Sequence, residues 1–525
     1  MIGRPGRGPA PGIGRRGFLA LVAAGSVLTG SGCGVPCNRP SGGQSARPTP
    51  EYVPASEASA AFIDEGVLAA AGDDGPFSIA GMLAAPGFFV AHRGSGDNWP
   101  EHTMRAYAQS AAAGLKALEV SVSSTADGVL VCHHDLNTLR LTGADLVIGR
   151  ASYAALQTLR NDARAWLGPG APLEPIPLLE DVLRTFLSSR VIFLEDKQGT
   201  NAAELLELLE TYPGARERVV WKQPASSPGH ARARSHGYTT WGYVTTPDFG
   251  NLPALIPRVD LLGVHRSAPE SVVRELVASG KPVAAWEVRR RSDYARLKGL
   301  GVKGFVCSNI VHVMHLEERH PEDGFDSGLR RAGDLPGRSD GTWDGQPLFD
   351  QGSLRMAAAD RVSYLMGSMG ALSASERELT LELRWPEALP EGSGGAGVAF
   401  GQDDDGPFKV GADTAGQGYQ LELGADGRLA LWRKDRGTAG STLLAEAKGA
   451  PPEPGEWIQL VIEVTSHMIS VRRQGLGGQG VDSADAAYGG GWFSLVKNYD
   501  GGAPVEFRNV TFRPAGAADA CDAGA

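Results

Sequence analysis

The chain has 525 residues, too many for one ordinary hydrophobic core, so we expect two folded domains with tails. Hydrophobic residues make up 42% of it, as in globular proteins, and the formal net charge is −10. Because nucleic acids are bound by basic surfaces, this acidic balance argues against a nucleic-acid partner. The five cysteines form no repeated C-x-x-C pair, which argues against a structural zinc site.

The N-terminus has the pattern of an export signal. Residues 1–33 contain no acidic residue, and a short apolar run follows Arg15-Arg16-Gly17-Phe18-Leu19, an order that resembles a twin-arginine signal. The small residues before Cys33 are also typical of a lipoprotein cleavage site, although Gly30 stands where a leucine is usual. The prediction is an exported protein of the cell envelope or extracellular space, with a lipid anchor at Cys33 left open. No later segment is apolar over 18 residues, so any membrane contact is expected through that anchor.

Composition divides the rest of the chain into domains and linkers. Residues 34–56 are rich in Pro, Gly and Ser and predict a flexible linker. We expect a first domain over residues 57–317 and a second over residues 351–514. The polar stretch 318–350 predicts a linker between them, and residues 515–525 predict a disordered tail.

Short apolar runs alternate with helix-like segments in the first domain. Eight strands with helices between them predict an α/β fold, the (β/α)8 or TIM barrel. One extra extended segment, 129–132, is predicted to form a hairpin with the second strand and to bring His134 to the rim of the barrel. The eight predicted strands are 88–91, 117–122, 191–195, 219–221, 239–244, 261–264, 283–288 and 304–307.

Short alternating segments separated by turns predict that the second domain is an all-β antiparallel sandwich. The clearest hairpin joins 419–423 to 428–432 through a Gly-Ala-Asp-Gly turn. This hairpin and the architecture resemble the concanavalin-like and laminin-G-like group. The resemblance implies either a domain that binds cell-wall glycan through aromatics such as Trp432 and Trp492, or a support for the barrel in which these aromatics belong to the core.

Several polar side chains stand where predicted barrel strands end. Barrel enzymes build their active sites at the carboxyl ends of the strands, so we expect these side chains to meet at one rim. An imidazole, two carboxylates and an indole lie at or just past such ends: His92, Glu119, Glu195 and Trp286.

Many short motifs follow one another in order between residues 87 and 310: His92-Arg93-Gly94, Pro100-Glu101-His102-Thr103, Gly114, Glu119, Thr125-Ala126-Asp127-Gly128, His134-Asp135, Arg140, Thr142-Gly143, Ile176–Glu180, Phe193–Lys197, Val283–Val288 and Gly301–Phe305. Together they resemble the glycerophosphodiester phosphodiesterase family. The resemblance implies hydrolysis of a glycerophosphodiester to sn-glycerol 3-phosphate and an alcohol.

The resemblance also implies roles for individual residues. His92 and His134 are expected to be the general acid/base pair, because an imidazole with a pKa of ~6.5 can both take and give a proton near neutrality. Arg93 is expected to bind a phosphate oxygen and Lys197 to add a positive charge. Trp286 is expected to line the pocket for the glycerol or the headgroup.

The neighbours of these residues have more open roles. Glu101 is expected to hold Arg93 or to contact the glycerol hydroxyls. Asp135 and Arg140 are expected to orient the loop of His134. The other two histidines of the region, His102 and His133, are expected to be structural.

A divalent cation, Mg²⁺ or Ca²⁺, is the cofactor that the resemblance implies. Glu119 and Glu195 are expected to bind it, because hard dications prefer carboxylate oxygens. Ser121 stands where the family has a third, aspartate ligand, so we expect weak metal binding unless Asp196, Asp97 or water substitutes. The alternative for the two glutamates is a core ion pair with Lys197 or Arg93.

Two functions from different classes follow. The first is an exported phosphodiesterase acting on deacylated phospholipids or glycerol-phosphate wall polymers, with lysophospholipids or sphingolipids as a further substrate class. The second is a catalytically impaired barrel that serves as a surface glycan- or lipid-binding protein through the sandwich. Ser121 is the feature that favours the second function.

Overall fold

The structure is a computed structural model that describes residues 77–337, 347–369, 376–408, 416–438, 440–475 and 478–515. In its first domain, parallel strands surround a hydrophobic core. The predicted signal (1–33) and first linker (34–56) lie outside the described residues, as does nearly all of the predicted tail. The described residues belong to one compact unit, Val53–Ala525. Among them, no helix is long and apolar enough to cross a membrane.

The strands up to residue 307 form the predicted barrel. Eight of them pair in parallel in the order β1-β11-β10-β9-β8-β7-β6-β2, and β1 pairs with β2 to close the ring. β3 pairs antiparallel with β2 as the predicted hairpin, and β4 and β5 form a separate ribbon. The bounds are β1 Phe88–Ala91, β2 Ala117–Ser124, β3 Leu130–Cys132, β4 Asn161–Asp162, β5 Leu173–Glu174, β6 Val191–Asp196, β7 Val219–Pro224, β8 Thr239–Val244, β9 Leu261–His265, β10 Val283–Val288 and β11 Gly304–Cys307.

Helices with one apolar face pack that face against the outside of the barrel strands. In the helix Leu179–Phe186, four apolar residues at helical spacing are buried: Leu179, Val182, Leu183 and Phe186. The helix Met104–Ala112 begins where the Thr103 hydroxyl accepts a hydrogen bond from the backbone of Ala106 at 3.1 Å. The other α-helices of this part are Ile79–Ala84, Leu139–Thr142, Tyr153–Leu156, Arg164–Leu167, Ala202–Glu210, Ala215–Arg218, Gly229–Ser235, Leu252–Leu255, Glu270–Ala278, Arg291–Gly299 and Ile310–Val313.

Two antiparallel seven-stranded sheets form the predicted sandwich, one in the order β12-β15-β24-β17-β18-β19-β20 and the other β13-β14-β25-β16-β21-β22-β23. Their inward side chains share one core, which includes Leu381, Tyr419 and Phe493. The bounds are β12 Asp334–Pro336, β13 Leu348–Asp350, β14 Ser353–Met356, β15 Val362–Met366, β16 Arg377–Arg384, β17 Gly395–Gly401, β18 Gly418–Gly424, β19 Arg428–Lys434, β20 Thr442–Lys448, β21 Ile458–Val464, β22 Ile469–Arg473, β23 Gly480–Ser483, β24 Gly490–Asn498 and β25 Val505–Pro514.

The sandwich starts earlier than the sequence predicts. β12 and β13 fall inside the stretch 318–350 that we predicted to be a linker, and each pairs with a strand of a different sheet. Both have only three residues, so the alternation that reveals longer strands has no room to develop.

The two sandwich tryptophans contact other apolar side chains. Trp492 is 7% exposed and packs with Leu335 and Leu365. Trp432 is partly buried against a cluster that contains Phe408. Of the two roles that the sequence left open for these residues, the contacts favour the core.

A buried histidine links the barrel to the sandwich. The two ring nitrogens of His312 contact Glu317 at 2.8 Å and Asp405, from the loop after β17, at 2.9 Å. Burial alone would lower the pKa of His312, but these two hydrogen bonds outweigh it and raise the pKa above its ordinary value. The junction therefore contains a charged cluster that is largely buried.

Candidate active site

A cavity of about 250 Å³ opens at the carboxyl ends of the barrel strands. Six of the residues predicted for the site line it, together with five for which no role was predicted. The lining residues are His92, Arg93, His134, Glu195, Lys197, Lys222, Tyr243, Thr245, His265, Trp286 and Glu287. Glu119, Ser121 and Glu101 lie buried beside this cavity.

The alternation of the strands explains which side chains reach the cavity. Residues two apart on a strand face the same side, and the deeper inward positions are apolar: Ala117, Phe193, Val220, Trp241 and Ala284 form one cluster. Two residues further along each of these strands, the inward side chains are Glu119, Glu195, Lys222, Tyr243 and Trp286. The barrel therefore has an apolar lower layer and a polar upper layer.

His134 is held by a carboxylate on one side and faces a lysine on the other. Its Nδ1 lies 2.7 Å from Asp135 Oδ1, so the ionised carboxylate places the ring proton on Nδ1. Its Nε2 is then an acceptor and lies 3.3 Å from Lys197 Nζ. Arg140 contacts the second oxygen of Asp135 at 2.6 Å, as expected for residues that orient this loop. Burial lowers the pKa of His134, with Asp135 acting against it.

His92 lies at the start of a tight turn after β1. Arg93, the next residue, has a φ of 54°, and its backbone N–H donates to Glu119 Oε2 at 2.7 Å. Gly94 follows with a φ of 77°, and a Cβ there would lie 2.8 Å from the Cβ of Ala106, so this position requires glycine. The strained turn thus fixes His92 and Arg93 against the strand that carries Glu119.

The electrostatic surroundings of His92 differ from those of His134. Its Nδ1 lies 3.9 Å from Glu287, and that carboxylate is also bound by Arg289 Nε at 2.6 Å. Burial and the charge of Arg93 lower the pKa of His92 to about 4. Both histidines are therefore neutral at pH 7 while the cavity holds no anion.

Glu101 holds the arginine that reaches the cavity. Arg93 Nη1 donates to Glu101 Oε1 at 3.0 Å, and Arg140 Nη2 donates to the same oxygen at 2.6 Å. Burial alone would raise the pKa of Glu101, but the two guanidinium groups outweigh it and hold the pKa well below its usual range. Of the two roles left open by the sequence, Glu101 therefore has the contacts of the first, holding Arg93.

A lysine that the sequence analysis did not name lies between the two predicted metal ligands. Lys222 Nζ donates to Glu119 Oε1 at 2.7 Å and to Glu195 Oε2 at 2.6 Å. Glu195 also accepts from the Tyr243 hydroxyl at 2.8 Å and from Lys197 at 3.2 Å. Burial opposes the charges of Lys222 and Glu119, but their attraction outweighs it, so the pKa of Lys222 is raised and that of Glu119 lies well below its usual range.

These side chains do not fit a divalent ion bound by Glu119 and Glu195. The ammonium lies between the two carboxylates, and Ser121 Oγ donates to Glu119 at 3.2 Å instead of offering a third carboxylate. The two substitutes that the sequence suggested have other partners. Asp97 pairs with Arg289, and Asp196 accepts from the backbone that follows β6. Among the described residues, no group of three or more His, Cys, Asp and Glu side chains could hold a metal.

Lys222, Tyr243 and Glu287 are the main additions to the predicted site. The predicted strand 219–221 ended one residue before Lys222, whereas the observed β7 extends to Pro224. A signal was present, because a lysine two residues after Val220 in an otherwise apolar strand faces the barrel interior. Glu287 directly follows Trp286 and carried no separate motif.

Comparisons with known proteins support the resemblance in the barrel. Residues 92–213 match the model of the Glycerophosphoryl diester phosphodiesterase family, which confirms the predicted resemblance for this region. The matched region contains His92, Glu119, His134 and Glu195 but ends before Lys222.

Individual proteins match parts of the chain. The Bacillus subtilis protein YhdW, whose name provisionally assigns it to the glycerophosphodiester phosphodiesterases, is 25% identical over 229 residues, which are 42% of this chain and 93% of that protein. The glycerophosphodiester phosphodiesterase of Bacillus altitudinis is 33% identical over 129 residues, 25% of this chain and 49% of that enzyme. A solved Oleispira antarctica phosphodiesterase in complex with the product sn-glycerol-3-phosphate is 21% identical, with a TM-score of 0.38, and the match covers 43% of this chain and 95% of that chain.

Proposed function

On the premise that residues 92–213 match the model of the Glycerophosphoryl diester phosphodiesterase family, a hydrolase family, we propose that this protein hydrolyses glycerophosphodiesters to sn-glycerol 3-phosphate and an alcohol. The observation that carries the proposal is the cavity itself. His92 and His134 line it together with three cationic side chains, Arg93, Lys197 and Lys222.

Phosphodiester hydrolysis requires charge stabilisation and proton transfer together. Positive groups must bind the non-bridging oxygens, a base must accept a proton from the attacking water, and an acid must protonate the leaving oxygen. Arg93 offers a fork of donors whose geometry suits a phosphate, and the lysines offer point charges.

The two histidines suit the two proton transfers. His134 carries its proton on Nδ1, against Asp135, so its Nε2 accepts a proton inside the cavity. His92 faces the carboxylate of Glu287, which favours its protonated form once an anionic phosphate has raised its pKa. We therefore assign His134 as the base and His92 as the acid of the hydrolysis.

The rest of the cavity suits the organic part of the substrate. Trp286 lies against Tyr243 with ring centroids 5.3 Å apart, and both line the cavity. An indole face packs well on the carbon chain of glycerol or on an alcohol headgroup. We do not propose glycan binding by the sandwich, since Trp432 and Trp492 pack against its own side chains.

Export belongs to the same proposal. The twin-arginine-like segment before Cys33 supports action outside the cytoplasm, where deacylated phospholipids or glycerol-phosphate polymers are the substrates, with Cys33 as the point of lipid attachment. Fractionation of cells that express the full chain, with and without Cys33→Ala, tests this part: retention in the cytoplasm contradicts export.

A direct assay tests the activity. The full chain is incubated with glycerophosphocholine, glycerophosphoethanolamine and bis-glycerophosphate, and released glycerol 3-phosphate is measured with a coupled dehydrogenase. We expect His92→Ala and His134→Ala each to lower kcat by about 100-fold or more. His236→Ala, a half-exposed histidine outside the cavity, serves as the control and keeps the wild-type rate. Release from none of the substrates, or wild-type rates in both cavity variants, refutes the proposal.

A further inference from the structure

We propose that Lys222 is the resident cation of this active site, bound between Glu119 and Glu195 in place of a divalent metal, and that its ammonium contacts the substrate phosphate directly. The inference rests on the proposed function, because it names how the same cavity balances the charge of a phosphodiester. It departs from the divalent ion that the family resemblance implies.

The position of the Lys222 ammonium is the first observation that supports this inference. Lys222 is the register partner of Glu195 on the neighbouring strand, and its Nζ lies within 2.7 Å of an oxygen of each glutamate. An ion bound by both carboxylates would have to occupy the space that this ammonium fills. The Lys222 side chain is 9% exposed and that of Glu119 is 0% exposed. Neither side chain can therefore move into solvent unless its neighbours repack.

The remaining carboxylate oxygens are also in use. Glu119 Oε2 accepts the backbone N–H of Arg93 at 2.7 Å, and Glu195 Oε1 accepts the Tyr243 hydroxyl at 2.8 Å. All four oxygens of the two glutamates therefore have a donor from the protein.

The charges of the cluster balance without a metal. Glu119 and Glu195 contribute two negative charges, and Lys222 with Lys197, 3.2 Å from Glu195, contributes two positive charges. A dication added to this cluster would be repelled by two ammonium groups close to it. The cluster already has the net charge that two glutamates and one dication would have.

Ser121 is the complement of Lys222. Its hydroxyl donates to Glu119 Oε1, the oxygen that also accepts from Lys222. A carboxylate at position 121 would add a third negative charge at this place, which a dication can balance and a single ammonium cannot. At this place the protein therefore combines a serine, where a third carboxylate is expected, with the fixed positive charge of Lys222.

The ammonium has one donor left for a substrate. Lysine carries three N–H donors, two of which point to the glutamates, and Lys222 also lines the cavity. A phosphate oxygen placed there would accept the third. The site therefore provides a fixed positive charge but no metal-bound water, so its activity should depend neither on the identity nor on the presence of divalent ions.

Metal binding and activity are measured separately to test this. Wild-type protein is dialysed against EDTA, its metal content is determined by mass spectrometry, and Mn²⁺ binding is followed by electron paramagnetic resonance. We expect no bound Mn²⁺ at about 1 mM, and hydrolysis in EDTA within about twofold of that with Mg²⁺ or Ca²⁺. Stoichiometric Mn²⁺ binding at the site, or activity lost in EDTA and restored by a cation, overturns the inference.

Variants exchange the two kinds of site. Lys222→Met should lower kcat by about 100-fold, a loss that added Mg²⁺ does not restore. The double variant Lys222→Ala with Ser121→Asp should gain Mn²⁺ binding, while the matched variant Lys197→Met, which keeps Lys222, should not. Unchanged activity in Lys222→Met overturns the inference. Thermal unfolding identifies any variant that does not fold, and the wild-type Mn²⁺ measurement then decides alone.

The outcomes separate this inference from the proposed function. Hydrolysis that requires a metal refutes the role of Lys222 and leaves the phosphodiesterase in place. Absence of hydrolysis refutes the proposed function, and Mn²⁺ binding by the wild type still judges whether Lys222 occupies the cation position.

Discussion

At the mouth of the barrel and at its junction with the sandwich, one basic side chain lies between two buried carboxylates. Lys222 lies between Glu119 and Glu195, and His312 lies between Glu317 and Asp405. In both places, burial alone would lower the pKa of the basic group, and the two carboxylates raise it instead. The charge pattern is the same, yet we assign a function to only one of the two sites.

The number of donors distinguishes the two sites. A protonated imidazole has two N–H groups, and both nitrogens of His312 already face a carboxylate. An ammonium has three, and Lys222 directs two of them to carboxylates beside a cavity. The His312 side chain is 0% exposed, so it has neither a spare donor nor access to a ligand. A buried charged triad therefore indicates a ligand site only when its central group keeps a donor that faces open space.

The largest effect on stability is expected from breaking the junction triad. His312→Ala removes the partner that Glu317 and the fully buried Asp405 share, so we expect the free energy of unfolding to fall by about 3–5 kcal/mol, measured by urea denaturation. The folded fraction should keep the kcat of the wild type. Lys448→Ala removes an exposed ion pair with Asp426 and, as the matched control, should cost less than about 1 kcal/mol. Equal losses in the two variants would contradict the difference in burial.

Acidification should affect the stability of the two regions in opposite senses, because the pKa of His92 is lowered and that of His312 is raised. His92 has a folded-state pKa of about 4, against ~6.5 in the unfolded chain, so the unfolded chain takes up a proton first as the pH falls from 6.5 to 4. His92 should therefore cost about 3 kcal/mol of stability once the pH is below 4. Urea denaturation at pH 7 and pH 4 should show a smaller acid loss in His92→Gln than in the wild type. An equal loss in both proteins would be inconsistent with a buried neutral His92.

His312 should respond in the opposite sense. Its raised pKa means that its contribution is fully present below pH 6.5 and is lost as the pH rises through the folded-state value. His312→Gln should therefore remove more stability at pH 6 than at pH 9.

A smaller effect is expected where a single carboxylate holds a histidine. Asp135→Asn removes the ionised acceptor of His134 Nδ1, a charge-assisted hydrogen bond of about 2 kcal/mol, so kcat should fall by roughly 10- to 100-fold. The pH–rate profile should move as well, which a loss of folding alone would not cause. Asp162→Asn, at an exposed pair with Arg164, is the control with an unchanged rate. A wild-type profile in Asp135→Asn would exclude Asp135 from the proton transfer.

Both folds and many site residues could be predicted from the sequence alone. All eight barrel strands appear within a few residues of their predicted bounds, because alternating apolar runs and the helices between them are local patterns. His92, His134, Glu195 and Trp286 line one cavity, since parallel barrel strands bring their carboxyl ends to one rim. Most sandwich strands longer than four residues could be predicted from the same kind of local pattern, whereas short ones such as β12 and β13 could not.

Only the tertiary structure decided what lies between the carboxylates. Glu119 and Lys222 are 103 residues apart, and their contact depends on closing a barrel in which β6 separates β2 from β7. The same holds for His312 and Asp405, which come from different domains. Strand periodicity determines which face a side chain takes, but the partner across that face depends on the register of strands far apart in sequence. For that reason, the sequence could show that Ser121 stands where a metal-binding carboxylate is expected, but it could not show that Lys222 lies beside it.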